Sequence, residues 1–184
     1  MPKIRLLSIL VILFPIALYA QNLNDDKTVH HFSVIPKVGF YNWSDGGLAV
    51  GMEFKYNKNT LFYALDYLHL TELDTGFFSP SPIEYNNQIG FMIGKHFGEG
   101  LLQFLLQGGV GPFWGLKRTD LIENRMYDHK KFLTVGLIAK TGLTINPFHF
   151  LGLGLDVQLN LNPEKTVYVP TCSLVFNIRS KRKH

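Results

Sequence analysis

The feature that most constrains this chain is a residue-by-residue alternation, repeated in about eight segments between Phe32 and Ile178. In the clearest segment Leu48, Val50, Met52, Phe54 and Tyr56 share one face, while Gly47, Ala49, Gly51, Glu53 and Lys55 share the other. From Phe150 onward, Leu151, Leu153, Leu155, Val157, Leu159 and Leu161 oppose Gly152, Gly154, Asp156, Gln158 and Asn160. A period of two is the signature of β-strands, whose successive side chains point to opposite faces. Segments starting near Phe32, Tyr85, Leu102, Leu133 and Tyr168 follow the same rule. The segment from Leu61 to Thr71 is less regular, because Phe62, Leu68 and Leu70 fall on the polar side, and a bulge or partial burial is expected there. Ile138 is a similar exception in its own segment.

One face of every segment is strongly apolar, yet the other is glycine and polar rather than uniformly charged. Charged residues make up 17% of the 184 residues, below the roughly 25% usual in soluble domains. Such a sheet has its greasy face turned to something other than water. No later segment offers the roughly 18 uninterrupted apolar residues of a membrane-crossing helix. A sheet in lipid must close on itself, because hydrocarbon satisfies no free backbone N–H or C=O. Eight strands of this length close into a barrel whose lumen is just wide enough to be filled by side chains. Connections alternate as well. Asn57-Lys58-Asn59, Gly98-Glu99-Gly100 and Asn146-Pro147 read as tight turns, whereas Trp43 to Gly46, Glu72 to Glu84, Lys117 to His129 and Asn162 to Thr166 read as polar loops.

The net charge of +4 does not mark a nucleic-acid face. Lys3 and Arg5 precede an apolar stretch from Leu6 to Ala17, the pattern of a secretory signal with cleavage after Ala20. Arg179, Lys181, Arg182 and Lys183 form a terminal tail, and without these six residues the body is slightly acidic. The expected organisation is therefore a signal peptide over 1–20, a periplasmic segment over 21–29, a barrel over 30–178 and a basic tail over 179–184. The single cysteine, Cys172, excludes an internal disulfide and reads as a small packed apolar residue.

With this leader and this pattern the chain resembles the small eight-stranded outer-membrane β-barrels of Gram-negative bacteria, of the OmpA transmembrane-domain and OmpX type. The resemblance covers about Phe32 to Ile178 and rests on patterning and leader, with no diagnostic motif. It implies an all-β, eight-stranded antiparallel up-and-down transmembrane barrel in the outer membrane. It also implies insertion by the barrel-assembly machinery and surroundings of outer-membrane lipid and lipopolysaccharide. The resemblance does not fix one activity, since such barrels include structural proteins, adhesion factors and lipid-modifying enzymes.

The expected lumen residues are Lys37, Glu53, Lys55, Asp66, His96, Gln103, Gln107, Lys117, Lys140 and Asp156. Both signs of charge are present, so a mutually paired network is expected. A catalytic alternative can be drawn from His31, Ser33 and Glu53 as a hydrolase set, as in the lipid A deacylases, and another from His69, Thr71 and Glu72. The histidines lack the short paired spacing of a metal site, the glycines do not form a phosphate loop, and no cofactor is expected. The function read from sequence is a non-enzymatic membrane scaffold with outer loops for envelope integrity or partner binding. Its rivals are a lipid-modifying hydrolase and a soluble calycin-like barrel with its apolar face turned inward.

Overall fold

A computed structural model describes residues 30–42, 46–58, 61–72, 83–98, 101–123, 126–148 and 150–179. The signal peptide, the 21–29 segment and the tail beyond Arg179 fall outside these residues, as do most of the loop over 73–82 and Trp43.

The eight segments are β1 (His30–Phe40), β2 (Gly47–Lys58), β3 (Leu61–Glu72), β4 (Tyr85–Phe97), β5 (Leu102–Glu123), β6 (Met126–Ile145), β7 (Leu151–Leu161) and β8 (Val167–Arg179). Each pairs antiparallel with the next in sequence, and β8 pairs with β1, so the barrel is closed. Lys37 lies opposite Gly51 on one side and Ser173 on the other. Both described termini lie at one end, here the terminal end; the opposite end is the loop end. Gly98 takes φ 87° in the turn after β4, a left-handed conformation that a residue without Cβ adopts freely. Asn42, at φ 46°, closes the first loop by exchanging hydrogen bonds with Tyr168: its backbone N–H donates to the Tyr168 carbonyl, and its Oδ1 accepts the Tyr168 N–H.

The apolar face points outward. Phe54, Leu65, Phe91, Leu106, Leu155 and Phe176 are exposed, while Lys37, Glu53, Asp66, Lys140 and Asp156 are buried inside. This is the opposite of the calycin-like arrangement, and it leaves a wide apolar band on the exterior.

One open expectation is decided and two others are corrected. β3 has the buried apolar residues and no bulge, since its register runs unbroken against both neighbours. Phe62, Leu68 and Leu70 point inward because the lumen itself contains apolar layers. Phe62, Ala64, Met92, Leu105 and Ile138 form one cluster, and Leu68 and Leu70 join Tyr41, Ala49, Phe113, Val167 and Val169 in a second. The residues that broke the alternation in sequence thus fall into two apolar clusters, Phe62 and Ile138 in one, Leu68 and Leu70 in the other. The segment from Lys117 to His129 is largely strand rather than loop. β5 and β6 run 22 and 20 residues, against 11–13 for the other strands, and continue as a hairpin with register shifts between Arg118, Leu121 and Glu123. Cys172 is exposed on the exterior face rather than packed, because its even position on β8 points away from the lumen.

Candidate functional site

The middle of the lumen is an ionic layer built by five strands. Glu53 on β2 takes Lys140 at 2.5 Å and Lys55 at 3.3 Å, with Lys37 at 4.0 Å. Lys37 pairs with Asp66 on β3, and Lys140 also reaches Asp156 on β7 at 3.5 Å. Gln158 ties the layer across the barrel: its Oε1 accepts from Lys37 at 3.2 Å and its Nε2 donates to Asp66 at 3.1 Å. Three lysines thus meet three carboxylates with no excess of either sign. Each ion loses its hydration when buried, and only the pairing and added hydrogen bonds offset that loss. Toward the loop end the layer is continued by neutral amides, with Asn160 Nδ2 donating to Gln88 Oε1 at 2.6 Å.

Of the expected lumen set, Lys37, Glu53, Lys55, Asp66, Lys140 and Asp156 come together in this layer. Gln107 is buried on the same face, but both its amide atoms lack a hydrogen-bond partner. His96 stands toward the terminal end, 4.5 Å from the Phe62 ring, with Nε2 3.1 Å from Asn57 Oδ1. Gln103 is half-buried near that end, and Lys117 lies on the projecting hairpin; neither joins the ion layer. Sequence reasoning passed over Gln158, Gln88 and Asn160, although their alternation put all three on the polar face. It also read Asn57 as a turn residue, whereas Asn57 is fully buried and ends the lumen network.

Of the drawn hydrolytic set, Ser33 and Glu53 each have other partners. Ser33 Oγ donates to Asn177 Oδ1 at 2.8 Å and accepts from Asn57 Nδ2 at 3.2 Å, while the Glu53 carboxylate is held by lysines. The second set is divided by the pleat. His69 lies on the exterior, its Nδ1 2.8 Å from Asn87 Oδ1, and Glu72 turns to Arg118.

At the loop end a second polar cluster joins the strand ends. Arg118 Nη1 donates to Glu72 Oε2 at 2.8 Å and its Nη2 also engages Glu72. Its backbone N–H donates to Glu84 Oε1 at 2.8 Å, just before β4 begins. A carboxylate therefore satisfies a strand-edge donor that would otherwise be unpaired. Lys165 pairs with Glu84 at 3.2 Å and lies 5.8 Å from the centre of the buried Tyr41 ring. Burial, reinforced by Glu72 and Glu84, pushes the Tyr41 phenol up to about 12 from its ordinary 10.0. Tyr41 also belongs to the apolar cluster inside the loop end.

A closed eight-stranded antiparallel barrel, apolar outside and polar within, is the architecture of small outer-membrane barrels. Solved structures agree on the fold. The N-terminal β-barrel domain of Pseudomonas aeruginosa OprF superposes with a TM-score of 0.63 at 12% identity, covering 83% of this chain and 100% of that one. Neisserial surface protein A gives 0.59 at 17% identity, covering 81% and 97%. Ail, the attachment invasion locus protein of Yersinia pestis, gives 0.53 at 14% identity, covering 84% and 100%. No protein-family model and no curated protein matches the chain.

Proposed function

We propose that the protein is a non-conducting scaffold of the bacterial outer membrane, which holds the loop end outside the cell for envelope integrity or partner binding. In this reading the chain is exported on its signal peptide and inserted by the barrel-assembly machinery. It then sits among outer-membrane lipid and lipopolysaccharide with its termini toward the periplasm. The observation that carries the reading is the inverted polarity combined with a filled interior. The ion layer is neutral and internally paired, and it lies between two apolar clusters that themselves occupy the lumen. An ion crossing this path would have to break several buried pairs and pass rings of Leu, Phe and Val without hydration, each at high cost. The hydrolase alternative would need Ser33 released from Asn57 and Asn177 before it could act as a nucleophile.

Planar-bilayer recording on the refolded protein tests the reading. A baseline without unitary steps is expected. Discrete, reproducible conductance steps would overturn it and make the lumen a conduit.

A further inference from the structure

The exterior wall carries a polar pair at the loop-end margin of its apolar band. On β3 the outward run Leu61, Tyr63, Leu65 and Tyr67 is followed by His69, and on β4 Phe91 and Ile89 give way to Asn87. The two residues lie directly across the ladder from each other, with Val50 on the far side of His69 and Trp114 on the far side of Asn87. The Tyr85 ring stacks against the His69 ring at 6.5 Å between centres. Asn87 Oδ1 accepts from the Tyr67 hydroxyl at 3.1 Å and from His69 Nδ1 at 2.8 Å, so both its lone pairs are used and the pair is held in place. What remains is the Asn87 amide N–H as a donor and Nε2 of a neutral His69 imidazole as an acceptor. Among the described residues neither has a partner. Turning the amide over reverses the roles and again leaves one donor and one acceptor side by side.

We propose that this pair binds a hydroxyl of a sugar-bearing lipid of the outer leaflet, with the sugar ring resting against Tyr85 and Trp114. Hydrocarbon answers neither polar group, and leaving both bare beside lipid chains is costly. A phosphate ester or a carbonyl only accepts, so it answers the donor alone. A hydroxyl donates and accepts, so it answers both at once. The exterior neighbours Val50, Tyr67, Tyr85, Ile89 and Trp114 carry no charge, so nothing here selects an anionic headgroup. Tyrosine and tryptophan are the side chains that settle where acyl chain meets headgroup, and a sugar offers its flat C–H face to such rings. The proposal rests on the membrane reading above, which turns the loop end outward. The bland alternative is interfacial water, which answers both groups with no preference for any lipid.

Trp114 is the cross-strand neighbour of Asn87, and the chain's other tryptophan is Trp43. A Trp43→Phe protein, refolded in phosphatidylcholine vesicles, therefore reports on this patch alone. Quenching is compared between equal small fractions of three lipids dibrominated on the same acyl chain. These are a monoglucosyl diacylglycerol, phosphatidylcholine, and phosphatidylmethanol, which is anionic but has no hydroxyl. The expected preference for the glucosyl lipid over phosphatidylcholine is roughly five-fold, the worth of one net hydrogen bond, with phosphatidylmethanol level with phosphatidylcholine. His69→Val/Asn87→Val brings the glucosyl ratio to near one while the barrel keeps its heat-dependent gel shift. A glucosyl ratio near one in the parent overturns the site and leaves water as the partner, and an unchanged ratio in the variant overturns it too. A preference for phosphatidylmethanol overturns it in favour of charge. A missing gel shift with no quenching by any of the three lipids overturns the membrane reading, and this site with it.

Discussion

The barrel body and the β5–β6 hairpin are made from the same two strands, yet different forces hold them. Within the body every strand has two partners, and polar side chains face a lumen from which water is largely excluded. Pairing there is compulsory, and each carboxylate meets at least one lysine. Beyond Leu116 and Leu137 the two strands have only each other, and the register slips twice. Lys130 and Lys131 at this level are exposed, so water can serve as their partner. Burial, more than strand propensity, thus decides which charges must be matched.

The largest effect that would break this contrast is in the ion layer. Glu53→Gln leaves Lys140 and Lys55 buried without their shared carboxylate and is expected to cost about 3–5 kcal/mol. Urea titration of the refolded barrel measures this; a cost below about 1 kcal/mol would mean that water reaches the layer. On the exterior, Leu155→Arg near the middle of β7 is expected to cost about 2–4 kcal/mol in a bilayer. The same titration in vesicles checks it, and a near-zero cost would place that face in water. At the rim, Arg118→Gln breaks a partly exposed pair and is expected to cost about 1 kcal/mol or less, shrinking with added salt. Replacing residues 119–128 with a two-residue turn should be the smallest change, within about 0.5 kcal/mol, because only the hairpin loses pairing. Thermal gel-shift midpoints of the trimmed and full chains check that equality.

The body was legible in sequence because alternation reports directly on which face is buried, and a closed barrel imposes it on every strand. Lys37, Glu53, Lys55, Asp66, Lys140 and Asp156 followed from that rule alone. The lumen's apolar layers were less legible, since an inward Phe62, Leu68 or Ile138 looks like a defect until its partners across the barrel are known. The hairpin was hidden for a different reason. Its charged residues carry the composition of a loop, and a two-stranded ribbon exposed on both faces need not alternate. Ser33 and His31 could be drawn as a catalytic pair because spacing along a strand says nothing about Asn57 and Asn177, which arrive from β2 and β8.

The central claim is that the apolar exterior of this closed barrel lies in the outer membrane. Fractionation of the expressed protein into outer membrane, inner membrane and periplasm, with boiled and unboiled gel lanes for each, tests it most directly. The account predicts recovery in the outer membrane, with the unboiled protein migrating differently from the boiled one because the closed barrel resists detergent until heated. Recovery as soluble periplasmic protein with one mobility in both lanes would contradict it.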